Sequence, residues 1–261
     1  MSRTLKLCLF IIFIITGVFA LYSHAQQSQT QPEGKEKVKF VKAPNSPAPP
    51  GVKFAITDPT EGAVVEGPDV TVKFTVENWK LFKDEKTQTG QHIHFILDNE
   101  PYIAQYSTDP MVFKNVAPGP HVVRAFPSRP WHECVKEDTA FSMVQFYVKE
   151  KSGTLPIDPG KEMLVYSRPK GEYSIASPPP GQPVEGILID FFAPNVKIGE
   201  TGFEARATLD NSRRIKIETW QPYYIQGLEE GSHTLKLELL KDGKPVEGNF
   251  NTTERTITIK P

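Results

Sequence analysis

Residues 91–99 read Gln-His-Ile-His-Phe-Ile-Leu-Asp-Asn, and residues 203–211 read Phe-Glu-Ala-Arg-Ala-Thr-Leu-Asp-Asn. The shared Leu-Asp-Asn triplets lie 112 residues apart, and Gly119-Pro120-His121 is matched by Gly231-Ser232-His233 at the same offset. Pro110 and Pro222 fall into the same register. Triplets held in step without a gap describe an internal duplication, which governs every other reading of the chain. The chain divides into a module over 52–150 and a second over 161–261. Ser152-Gly153-Thr154 and Asp158-Pro159-Gly160 supply turn chemistry at the junction.

Within each module the hydrophobic period is two. Val70, Val72, Phe74 and Val76 alternate with Thr71, Lys73 and Thr75, and Leu235, Leu237 and Leu239 alternate with Thr234, Lys236 and Glu238. Such alternation predicts half-buried antiparallel strands. In the first module strands are expected near 52–57, 70–77, 91–97, 102–106, 111–116, 121–127 and 141–148. Seven short strands in about 100 residues suggest a sandwich. The fold class expected is therefore all-β: two tandem immunoglobulin-like antiparallel β-sandwiches behind a signal peptide and a disordered linker.

The leader carries Arg3 and Lys6 ahead of an uncharged run from Leu7 to Leu21, with Ser23-His24-Ala25 as a cleavage site, so residues 1–25 read as an export signal. Its apolar run is short for a bilayer span, which takes about 20 residues. No stable membrane insertion is expected after cleavage, and the compartment is periplasmic or extracellular. Residues 26–51, with Pro44, Pro47, Pro49 and Pro50, form a Pro/Gln/Lys-rich tether. Of two cysteines, Cys8 leaves with the signal and Cys134 remains unpaired.

The balance of 30 basic and 31 acidic residues lacks the positive footprint of phosphate-backbone binding, so no nucleic-acid partner is expected. The chain has no nucleophile elbow, phosphate loop or dinucleotide fingerprint. His132-Glu133-Cys134-Val135-Lys136 opens like a zinc-protease helix but has Lys136 where the second histidine belongs. An enzyme is not expected.

The segments Val116–Val123 and Leu228–Leu235, each with a Gly-x-His turn, resemble the turn before a late strand in bacterial immunoglobulin-like and fibronectin-type domains. The His-x-His strand leading into Leu-Asp, followed by that turn, is similar to small exported bacterial domains of unknown function. This resemblance implies the sandwich and export but assigns no activity.

The repeat also sorts the histidines. His121 and His233 occupy equivalent places and read as structural imidazoles bonded to nearby backbone. His92 and His94 differ: Ile93, Phe95 and Leu97 align with Ala205, Ala207 and Leu209, so the histidines face away from their own core. The second module carries Glu204 and Arg206 there. On this outer face Arg124, Phe126 and Tyr147, with Trp131 from the long 127–140 connection, form an expected recognition surface for a protein or carbohydrate. The alternative is a copper or, less well, zinc site. Alternate strand residues lie roughly 6.5–7 Å apart on one face, so His92 and His94 could share an ion, with His132, Cys134 and Met143 as further ligands.

Overall fold

The computed structural model describes residues 38–174 and 179–261. The expected export signal and the first part of the tether lie outside the described residues. In chain order the strands are β1 (Lys39–Lys42), β2 (Lys53–Asp58), β3 (Ala63–Val65), β4 (Val70–Glu77), β5 (His92–Leu97) and β6 (Ile103–Gln105). They continue as β7 (Met111–Phe113), β8 (Gly119–Ser128), β9 (Ser142–Val148), β10 (Val165–Arg168), β11 (Gly171–Ser174) and β12 (Ile187–Phe192). The last six are β13 (Phe203–Leu209), β14 (Arg213–Ile217), β15 (Tyr223–Gln226), β16 (Gly231–Lys241), β17 (Lys244–Pro245) and β18 (Thr252–Lys260). Two immunoglobulin-like sandwiches result. The first packs a sheet of order β2-β4-β7 on one of order β3-β9-β8-β5-β6. The second packs β1-β15-β12-β10 on β11-β18-β16-β13-β14, with β17 at the edge of β16.

The duplicated motif explains itself in the turn chemistry. Asp98 follows β5 at φ 51° and Asp210 follows β13 at φ 48°, a left-handed conformation that Asp tolerates. Each carboxylate reaches the start of the next long strand. Asp98 accepts from Val122 N–H at 3.0 Å and pairs with His121 Nδ1 at 2.8 Å, while His121 Nε2 meets the Ala117 carbonyl at 2.8 Å. Asp210, Thr234, His233 and Glu229 repeat these contacts at 2.8, 2.8 and 3.0 Å. Gly119 and Gly231, at φ 122° and 130°, start the strands in a conformation closed to other residues.

Side-chain alternation fills each core. Ile93, Phe95, Val123, Ala125, Val144, Phe146 and Val148 point into the first sandwich and pack on Phe54, Val70 and Val72. Leu164, Ile189, Ala205, Ala207, Leu235, Leu237 and Leu239 fill the second.

Two features depart from the sequence reading. The tether expected through residue 51 ends earlier, because Phe40 packs on the second core and β1 pairs with β15 from Lys39↔Gln226 to Lys42↔Tyr223. The chain thus contributes a strand to the second sandwich before it enters the first. The larger correction concerns the outer face of β5, β8 and β9, which is not an open surface. Ile96, Val122 and Phe126 pack there on Met163, Val165 and Phe192 of the second module. Arg124 and Phe126 are wholly buried and Tyr147 is nearly so. The apolar side chains expected to recognise a partner are matched within the chain instead. By contrast, the equivalent face of β13 and β16 keeps an ordinary polar ladder, with Arg206 Nε on Glu238 Oε2 at 2.9 Å.

Phe126 therefore behaves as a core residue. Phe126→Ser is expected to lower unfolding free energy by about 3–5 kcal/mol, the range for removing a buried Phe side chain, read as a shift of the urea midpoint at constant slope. A loss below about 0.5 kcal/mol, ordinary for surface positions, contradicts this packing.

Candidate metal centre

Extended backbone places His92 and His94 side by side on β5, and the β5–β8 register sets His94 opposite Phe126. Both imidazoles are completely buried. The third histidine arrives on the loop that follows β8. This loop closes tightly: Ser128 bridges to Cys134, Arg129 N–H donates to Glu133 O at 2.9 Å, and His132 N–H donates to Arg129 O at 2.8 Å. The closure puts His132 at φ 71°, a conformation that costs a non-glycine residue about 1–3 kcal/mol and persists where the surroundings enforce it.

The enforcement is visible. Arg129 Nη2 donates to the carbonyls of Ser46 and Pro47 at 2.8 and 2.6 Å. Glu133, also buried, accepts from Ser46 N–H and Oγ at 2.9 and 2.8 Å and from Trp131 Nε1 at 2.9 Å. Cys134 N–H donates to Asp190 Oδ2 at 2.6 Å, and Asp190 is paired with Lys136 at 2.5 Å. The segment after β1 and the second sandwich thus hold His132 from both sides.

Three ring nitrogens converge as a result. His92 Nε2 lies 2.8 Å from His94 Nε2 and 3.0 Å from His132 Nδ1. Ligand atoms of all three lie within 4.8 Å of one another. The far side of two rings is already engaged: His92 Nδ1 meets the Gly90 carbonyl at 2.7 Å, and His94 Nδ1 meets Ser167 Oγ at 3.0 Å. A carbonyl only accepts, so His92 carries its proton on Nδ1 and presents a bare Nε2. One lone pair therefore faces two ring nitrogens. Proton sharing satisfies at most one of these contacts, whereas a coordinated cation satisfies both.

The electrostatics keep the rings neutral. Burial lowers the pKa of His92 to about 4, aided by Arg168 and Lys170 and opposed by the Gly90 carbonyl. Burial holds His94 well below the usual imidazole range, with His92 and His132 adding to the effect. His132 is displaced the same way by burial, Arg168 and His92. Neutral imidazoles are the form that binds metal.

Not every expected ligand joins. Cys134 is buried in the module interface, with its Sγ 3.3 Å from both the Phe191 carbonyl and Lys136 Nζ. Its thiol pKa is pushed up by burial and by Asp190, and it is not in the histidine group. Met143 stands opposite Arg124, two ladder positions from the Phe126–His94 pair, and packs in the interface cluster. Trp131 anchors the loop through Glu133. Arg124 Nη2 is turned to the Asp98 carbonyl at 2.5 Å. Tyr147 lies across the ladder from Pro120 and Val64, with Lys151 over its ring at 5.8 Å.

Three contributors escaped sequence reasoning. The Tyr102 ring stacks on His94 at 3.4 Å between centroids, and its hydroxyl lies 3.1 Å from His132 Nδ1. Ser167 and Arg168 come from the second module. No local spacing marks any of them.

No family model matches the chain, and no curated protein matches it. Solved structures match it only loosely. It is similar to the fibronectin(III)-like modules of Clostridium thermocellum CbhA, at 15% identity and TM-score 0.27 over 79% of this chain and 94% of that one. It is also similar to SGBP-B of the Bacteroides ovatus mixed-linkage glucan utilization locus, at 10% identity and TM-score 0.23 over 86% and 71%. These superpositions are too loose to carry an argument about ligands. Among the described residues no helix is long and apolar enough to cross a membrane.

The displaced imidazoles make a prediction for metal-free protein. A pKa depressed on folding means that protons favour the unfolded chain, so stability is complete above pH 6.5 and falls as pH drops toward 4. His92 alone contributes a loss on the order of 3 kcal/mol across that window. Thermal melting of metal-free wild type should drop steeply there, and His92→Gln/His94→Gln should flatten the curve. Identical pH profiles contradict the burial of neutral rings.

Proposed function

We propose that this chain is an exported, non-catalytic metal-binding module whose ion is held by His92 Nε2, His94 Nε2 and His132 Nδ1. The convergence of these three nitrogens, with His92 Nδ1 already committed to a carbonyl, carries the reading. Supporting it, the two edges from His92 Nε2, 2.8 and 3.0 Å, fall within about half an ångström of the about 3.3 Å separating nitrogens on a tetrahedral ion with bonds near 2.0–2.1 Å, and the third edge lies within 4.8 Å. The Gly90 and Ser167 contacts are those that orient ligating imidazoles elsewhere. Copper is the preferred ion, since three imidazoles bind it above zinc in the Irving–Williams order. Zinc is the competitor.

The alternative of protein or carbohydrate recognition through Arg124, Phe126, Trp131 and Tyr147 loses its support, because most of that face is covered within the chain.

Untagged protein titrated with copper(II) and with zinc(II) should bind one ion per chain, copper more tightly. His92→Ala, His94→Ala and His132→Ala should each weaken binding at least tenfold, while Cys134→Ala and Met143→Leu leave it unchanged. Absence of stoichiometric metal in folded wild type, or loss on removing Cys134 or Met143 alone, overturns the assignment.

A further inference from the structure

Three neutral imidazoles leave the full charge of their ion uncompensated, and the surroundings add to it. Arg168 ends β10 and Lys170 follows two residues later, and both bear electrostatically on all three histidines. Arg168 is 9% exposed, yet its Nε is buried without a hydrogen-bond partner. Its Nη1 donates to the Tyr173 hydroxyl at 2.7 Å, and Lys170 Nζ donates to the Tyr102 carbonyl at 2.5 Å. The groups acting most strongly on Arg168 are Tyr173, Tyr102 and Tyr106, and on Lys170 they are Arg168 and Arg255. None is a carboxylate. A buried cation such as Arg168 without a counter-charge is costly, and a metal ion at the nearby histidines raises that cost.

Tyr102 links the two charge centres. The Arg168 guanidinium lies over its ring at 5.2 Å and Lys170 Nζ at 3.9 Å, while the ring stacks on His94. Its hydroxyl now shares a contact with His132 Nδ1 at 3.1 Å. Coordination would take up that nitrogen's lone pair and release the Tyr102 O–H to donate elsewhere. An ion with three protein donors also keeps a fourth position open.

We infer that the metal centre takes a small oxyanion of carboxylate or bicarbonate size as its fourth ligand, stabilised by the Tyr102 hydroxyl and the Arg168 and Lys170 charges. This rests on the metal reading above. The anion supplies the negative charge that the protein donors lack, and the adjacent donor and cations favour it over neutral water.

The probe is azide, whose bond to copper(II) gives a charge-transfer absorption, with formate as the competing oxyanion. Copper-loaded full-length wild type should develop a saturable azide band that formate reverses. Lys170→Gln and Tyr102→Phe should each weaken azide binding about tenfold while retaining one copper per chain. Arg168→Gln should do the same where circular dichroism shows it folded. Copper bound at one per chain with no azide band, or with unchanged azide affinity in Lys170→Gln and Tyr102→Phe, overturns the anion inference and leaves the metal reading intact. A wild type that takes no copper overturns both.

Discussion

Phe126 and Phe192 meet across the module junction with ring centroids 5.2 Å apart, and around them Ile96, Val122, Met163 and Val165 close into one apolar cluster. The rest of the structure depends on this contact. It seals the outer face of the five-stranded sheet, removes water from His92 and His94, and brings Ser167 and Arg168 to the imidazoles. Burying roughly 25 cal/mol of stability per Å² of apolar surface favours the closed junction. The same desolvation lowers the imidazole pKa values. Packing and metal-site chemistry are therefore two consequences of one interface.

The duplication shows what specialised. In the second module the equivalents of His92 and His94 are Glu204 and Arg206, and these make ion pairs, Glu204 with the half-exposed Lys216 at 2.6 Å and the partly buried Arg206 with the buried Glu238 at 2.9 Å. The common frame, seen in the Asp98–His121 and Asp210–His233 contacts, is retained in both copies. One scaffold presents two different faces because only one of them is covered.

Much of the fold was legible because it rests on local chemistry. A period of two locates strands, and the offset of 112 residues carries inward positions such as Ala205 and Ala207 onto Ile93 and Phe95. His92 and His94 were legible as a pair because alternate strand residues share a face. His132 was nameable from its loop, though its left-handed backbone was not. What alternation leaves open is which surface covers a face. Arg124 and Phe126 therefore read as a binding patch, when they pack on Phe250 and Phe192 of the chain's own second module. Tyr102, Ser167 and Arg168 enter the site through tertiary contact alone, and residues 39–42 pair with a strand more than 180 positions further along the chain.

X-ray absorption at the copper edge of stoichiometrically loaded, untagged protein tests the three-imidazole assignment most directly. The account predicts three nitrogen scatterers near 2.0 Å with imidazole outer-shell features, any fourth light atom being exogenous, and no sulfur. A sulfur scatterer from Cys134 or Met143, or fewer than three imidazoles, would contradict it.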